Sequence, residues 1–208
     1  MEVNQRFSRD SRVRILVECA LALALCNVLS LFKLVQMPFG GSVSLAMLPI
    51  AVVALRRGAA AGALVGALWG MLDLLWEPQI VFWAQVILDY PLPFALFGGI
   101  CGAFAGLYQR RLASVGQRIG KGYQRGSLVV VVAVCLGWLA RYADAILSGV
   151  LFWAADAPSQ AIQAVWIYSV SYNLFYLLPD LVLVAVLSVL VMPLLSRALP
   201  ARRVCPSA

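Results

Sequence analysis

The segment "VILDYPLPFALFGG", residues 86–99, sets Asp89 and Tyr90 inside an apolar run and follows them with Pro91 and Pro93. A carboxylate at membrane depth is costly and marks a functional position whose partner has to be found. The two prolines supply no N–H donors and leave nearby carbonyls without helical partners. Irregular backbone of that kind is tolerated in a membrane where it lines a cavity or is buried in protein. Two partners suit Asp89. One is Arg141, in "LARYADAILSGVLFW" (139–153), which would make a structural ion pair. The other is a cationic ligand arriving from outside, and the residues by themselves leave both open.

The same stretch places Arg141 and Asp144 three residues apart, a spacing that lets them share a helix face. Gly149 permits a close approach to the backbone, and Trp153 stands one turn further out. "YSVSYN" adds Tyr168, Tyr172 and Asn173. This set describes either a salt-bridged interior with an interfacial anchor or a pocket wall with an aromatic lid. A flat aromatic cation would use the second: ring faces for stacking and cation–π attraction, one carboxylate, and a neutral amide to read a heterocycle's donor and acceptor edge. Enzyme chemistry has little to work with. The chain contains no histidine, which removes Ser–His nucleophiles and most transition-metal sites. "LDY" and "LPD" do not form the paired motifs of intramembrane aspartic proteolysis. No Walker A sequence is present, so the chain cannot itself spend ATP.

These residues must be held by membrane helices. Of the 208 residues, 63% are hydrophobic and only 12% charged, with a mean hydropathy of +0.91. That is more apolar surface than a soluble domain of this size can hide. The runs are continuous rather than alternating, which argues for helices and against a barrel. The expected fold is an all-α membrane protein with six transmembrane helices at about residues 13–36, 43–55, 58–76, 83–108 (broken near the prolines), 127–153 and 166–196. Residues 1–12 and 197–208 are read as polar tails flanking one membrane-embedded substrate-binding domain, 13–196, and the first span as retained rather than cleaved. With six spans, the clusters around Arg6–Arg14, Arg56–Arg57, Arg110–Arg125 and Arg197–Arg203 fall on one side, so both termini are cytoplasmic. The net charge of +7 therefore suits cytoplasmic loops and anionic lipid headgroups rather than nucleic acid. Asp73, Trp76, Glu77, Trp83, Asp156 and Trp166 join Asp89, Tyr90, Asp144, Trp153, Tyr168 and Asn173 in the outer half. Four of the five cysteines lie in apolar runs without a CxxC pair, as buried thiols do. Gly58, Gly62, Gly66 and Gly70, and then Gly98, Gly102 and Gly106, form small-residue ladders for close helix packing. Ala20 and Ala24 form a third stripe that could pack in the bundle or dock a partner. No long internal repeat supports an inverted-repeat transporter.

"GGSVSLAMLPIAVVALRRGAAAGALVGALWGML", followed by "ILDYPLPFALFGGICGAFAGL", resembles the thiamine-specific, membrane-embedded substrate-binding (S) component of energy-coupling factor transporters, and "SGVLFW" and "YSVSYN" follow in the right order. The likeness runs over roughly residues 13–196. It implies a six-helix bundle in a prokaryotic plasma membrane, vitamin capture on the outer face with thiamine as ligand and no cofactor, and docking onto a shared transmembrane coupling subunit with two ATPases. Position by position, it implies that Asp89 faces the thiamine cation with Tyr90 beside it. Trp153 stacks on the ligand with Gly149 a turn earlier, Tyr168 and Asn173 read its polar edge, and Arg141 is the basic residue of span five. Asp144 is a further candidate, able to stand in for a missing group. The Ala20/Ala24 stripe resembles the motif that meets the coupling subunit. Two positions depart from the pattern: Ala145 stands where members carry a ligand-contacting histidine, and Gly41 where some carry a loop tryptophan. Alternatives are an S component for a thiamine precursor or another vitamin, or a membrane scaffold in which Asp89 and Arg141 simply pair.

Overall fold

The computed structural model describes residues 2–37, 41–114, 123–154, 158 and 161–198. Its helices are α1 (Glu2–Ser30), α2 (Met47–Arg57), α3 (Ala59–Trp76), α4 (Trp83–Asp89), α5 (Pro91–Ser114), α6 (Tyr123–Phe152) and α7 (Ile162–Ala198). Between α1 and α2 runs an antiparallel hairpin of β1 (Lys33–Gln36) and β2 (Ser42–Ser44). Among the described residues, five segments are long and apolar enough to cross a membrane: Arg12–Ser30, Ala59–Trp76, Trp83–Gln109, Ser127–Phe152 and Ile162–Leu195. The third of these is α4 and α5 together, parted at Tyr90 beside the prolines. Leu21, Leu25, Leu64, Leu68, Phe175, Val182 and Val186 all point outward. Around a whole bundle, such a surface is stable only with hydrocarbon as its solvent.

The all-helical expectation needs one addition. The first span ends as a helix at Ser30, and the chain then turns into β1 instead of continuing to residue 36. The second span begins as strand, with 43–44 in β2, and becomes helix only from Met47, where α2 runs for 11 residues. At 1.5 Å per residue it is about 17 Å long, well short of a ~30 Å hydrocarbon core. It persists because it is enclosed by α1, α3, α5 and α7. Ile50, Ala51 and Ala54 are fully buried in that enclosure. The extended backbone leading into α2 pairs within the hairpin, which is how strand can exist at this depth. Ion pairs stand at both ends of the bundle. At the basic end, Arg57 and Arg56 of α2 engage Glu18 of α1, with Arg57 Nε 2.6 Å from Oε2. At the other end, Lys33 of β1 pairs with Glu77 just beyond α3.

The glycine ladders decide how α3 meets α5, the most extensive helix contact in the fold. A Cβ at Gly66 would strike the Phe94 carbonyl oxygen, and one at Gly70 the Tyr90 carbonyl oxygen. Gly62 and Gly98 face each other backbone to backbone, and Gly102 abuts Gly58. At Gly106, as at Gly58, there is open space where a side chain would be. Gly58 also has φ +90°, the sharp turn between α2 and α3 that an L side chain would resist. The ladders thus clamp Tyr90 and Phe94, at the start of α5, directly against α3. Gly66→Ala and Gly70→Ala are each expected to destabilise the protein by about 1–3 kcal/mol through overpacking. Gly106→Ala should leave stability unchanged or slightly raised, since alanine is the better helix former. Thermal unfolding in detergent checks this, and equal melting temperatures for all three variants would refute the packing role.

Candidate functional site

A cavity of about 210 Å³ opens among the hairpin, α3, the α4–α5 junction, α6 and α7. Among the described residues, its charged lining consists of Asp73, Glu77, Asp89 and Asp180 against Lys33 and Arg141, an excess of two carboxylates. Lys33 is taken up by Glu77. Arg141 Nη1 lies 3.0 Å from Asp180 Oδ2, and its guanidinium sits over the Phe94 ring at 4.8 Å. The two partners that the sequence leaves open for Asp89 are therefore distinguished: Arg141 is paired with another acid. Asp89 Oδ2 instead accepts hydrogen bonds from Gln85 Nε2 at 2.6 Å and from the Trp153 indole N–H at 3.2 Å. Both donors are neutral, so they satisfy the oxygen without cancelling its charge.

Local sequence explains this placement. Asp89 is the last residue of α4, and Pro91 opens α5. A proline in the first helical turn costs little, because N–H groups there have no acceptor within the helix. Pro93 falls in the same turn, so both prolines sit where their missing donors are least felt. Tyr90 is buried between the two helices. Its hydroxyl accepts the Gln79 N–H at 2.6 Å and donates to the Glu77 carbonyl at 2.8 Å. The phenol tip is thus spent on stapling the α3–α4 loop, and what Tyr90 offers the cavity is its ring. Trp153 follows α6 directly, its N–H bonded to the Gly149 carbonyl at 3.1 Å.

On α7, Tyr168 and Asn173 both line the cavity. Asn173 is engaged at both ends of its amide: Nδ2 donates to the Ser169 carbonyl at 2.9 Å and to the Ala145 carbonyl at 3.3 Å, while Oδ1 accepts from the Tyr176 hydroxyl at 2.9 Å. Its amide is committed to joining α7 with α6, in place of the free edge-reading role the sequence allowed. Gly149 lines the cavity and also marks where those helices touch, since a Cβ there would strike Ser169 Oγ. Ala145 lines the cavity, and so does Gly41 of the hairpin, which lies against the Tyr176 ring. Asp144 is buried but does not line the cavity. It precedes Ala145 by one residue, about 100° around the helix, and the salt bridge its spacing to Arg141 offered is formed by Asp180 instead. Ala20 and Ala24 are exposed on the outside of α1, whose inner face is Cys19, Ala22 and Cys26. Trp76, Trp83 and Trp166 are exposed as well, and Asp156 lies outside the described residues.

Several lining residues escape the sequence reading. Asp73 belongs to the outer acidic set but carries no role there. Asp180 is a lone carboxylate in an apolar run, a signal equal to that of Asp89, and "LPD" reads as a failed protease motif only if its isolation is overlooked. Tyr176 extends the row of Tyr168 and Tyr172, already singled out, by a further four residues, with ring centroids 5.7 Å and 6.2 Å apart along it. Behind the lining, the buried Gln85 gives no sequence signal, since its neighbours come from a loop fold.

Comparison with known proteins places this geometry. Residues 16–199 match the family model described as Thiamine transporter protein (Thia_YuaJ). The chain is 35% identical over 179 residues to the thiamine transporter ThiT of Bacillus subtilis (strain 168), covering 82% of this chain and 86% of the relative. It is 33% identical over 131 residues to ThiT of Lacticaseibacillus paracasei, covering 61% of each. The solved structure of ThiT from Listeria monocytogenes superposes with a TM-score of 0.66 at 27% identity, over 91% of this chain and 96% of that one. The family model spans most of the chain, and the chain belongs to the thiamine transporter protein (Thia_YuaJ) family.

Proposed function

We propose that this chain is the substrate-binding S component of an energy-coupling factor transporter, and that it captures thiamine in the cavity beside Asp89. The observation that carries the reading is the state of that carboxylate. It stands in the cavity wall with only neutral donors among the described residues, while the nearby guanidinium is held by Asp180. A positively charged thiazolium meets an uncancelled negative charge there, in surroundings of low dielectric where such an attraction is strong. Trp153 lies close enough to donate to the same carboxylate, so a ring stacked on it would lie over the cation's partner. The tyrosine row on α7 supplies further faces. An acid excess in the lining disfavours phosphorylated vitamers, which carry negative charge.

Capture alone does not move the vitamin inward, and a chain without an ATP-binding loop must borrow energy. Ala20 and Ala24 support a docking role, because they are small, one turn apart and turned out of the bundle. A transmembrane coupling subunit would approach there, with ATP hydrolysis in two further subunits.

Isothermal titration of the purified protein in detergent should show thiamine binding, and Asp89→Asn should weaken it by about 1–3 kcal/mol, the scale of a charge-assisted contact. Unchanged affinity in that variant would remove Asp89 from the ligand. Thiamine should also quench intrinsic fluorescence, and Trp153→Phe should lose most of that signal; full quenching in the variant would place the stacking ring elsewhere. Ala20→Leu combined with Ala24→Leu should leave thiamine affinity intact while abolishing co-purification with the coupling subunit and uptake by cells. Retained co-purification would move the docking surface to another face.

A further inference from the structure

Gln85 is completely buried, yet it sits next to a loop whose apolar side chains, among them Val81 and Phe82, are exposed. All of its hydrogen-bonding capacity is used. Oε1 accepts the N–H groups of Val81 at 2.8 Å and Phe82 at 3.3 Å. Nε2 donates to the Gln79 carbonyl at 2.8 Å and to Asp89 Oδ2 at 2.6 Å. A side-chain amide offers two donors and two lone pairs, so nothing is left over. Its orientation is also determined. Backbone N–H groups can only donate, and a carbonyl and a carboxylate can only accept. A flipped amide would set donor against donor and acceptor against acceptor at all four contacts.

We propose that Gln85 is a positioning residue for ligand capture: the α3–α4 loop locks its amide, and the amide in turn holds the Asp89 carboxylate in its binding orientation. This rests on the reading of Asp89 as the acid that meets the ligand's cation. The chain of contacts runs from the loop N–H groups through Gln85 to Asp89 Oδ2, and from that oxygen to the Trp153 indole. With both donors on Oδ2, Oδ1 stays available to a guest. Because Gln85 is uncharged, it orients the carboxylate without neutralising it, which a lysine or arginine at this position would do. Gln85 is also more than a cap for α4, although its side chain does reach back to the N–H of Phe82 three residues earlier. A cap would need only the oxygen, whereas here the nitrogen is aimed at the carboxylate one turn on.

A double-mutant cycle separates the two roles. Gln85→Met is close in volume and removes the donor. The loop keeps its second anchor, because the Tyr90 hydroxyl still holds Gln79 and Glu77. Thiamine titrations on wild type, Q85M, D89N and Q85M/D89N give the cycle. Q85M is expected to lower affinity by about tenfold or more, as for a lost bond to a charged group. In the D89N background the same substitution should change affinity by less than about threefold, because the group it orients is gone. An equal loss in both backgrounds, or no loss in either, would overturn the positioning role. If Q85M does not fold as judged by size exclusion, Gln85→Asn runs the same cycle, since it keeps a neutral amide near the loop and, one methylene shorter, withdraws the donor from Asp89. If D89N alone binds like wild type, the reading of Asp89 fails; if D89N is weakened and Gln85 proves additive, only the present proposal fails.

Discussion

A negative charge inside an apolar bundle has to be solvated by something, and the choice of solvating group decides what the site can hold. Here Asp89 is satisfied by an amide and an indole, two donors that carry no charge. The available guanidinium is diverted to Asp180 and stacked on Phe94. The protein therefore meets the hydrogen-bonding demand of the carboxylate and leaves its electrostatic demand open. Other features of the cavity follow from that arrangement: the surplus of acid in the lining, the rings gathered around it, and the buried glutamine that keeps one carboxylate oxygen occupied.

Holding such a carboxylate in place requires stiff supports close by. The α3–α5 contact supplies one, since backbone meets backbone along the glycine ladder and leaves no side chain to give way. Tyr90 and Phe94 are set by that contact, and Asp89 immediately precedes them. The α6–α7 contact supplies another, through Gly149, Ser169 and the fully bonded Asn173 amide. The hairpin closes the third side, with Gly41 against Tyr176 and Lys33 latched to Glu77. Residues that look like ligand contacts in the sequence thus divide into two kinds. Asp89 and Trp153 present themselves to the cavity, whereas the polar atoms of Tyr90 and Asn173 are consumed in building it.

Much of the architecture was legible beforehand because a membrane leaves the backbone few options. Long apolar runs become helices, clusters of arginine sort to one end, and small residues four apart become contact stripes. The second span shows where this reasoning stops. Its apolar content reads as a helix, but part of it is a strand, because a segment enclosed by four helices has no need to satisfy its backbone by itself. Gly106 obeys the ladder's spacing, yet a side chain there would meet nothing, since spacing places a residue on a face and does not say what faces it.

By itself the sequence determined the membrane class, the break beside Pro91 and Pro93, the Ala20/Ala24 stripe as a small-residue contact candidate and the identity of Asp89 as the acid to explain. These are properties of single elements, governed by hydropathy, periodicity and the proline ring, and they do not depend on which helix lies next to which. Only the tertiary structure decided that Arg141 belongs to Asp180, that Asp144 is buried without lining the cavity, and that Gln85 reaches Asp89 from within a folded loop. Those outcomes are competitions among partners distant in the chain. Hydrogen bonds and ion pairs are settled over about 3 Å, a distance that residue spacing along one helix cannot resolve.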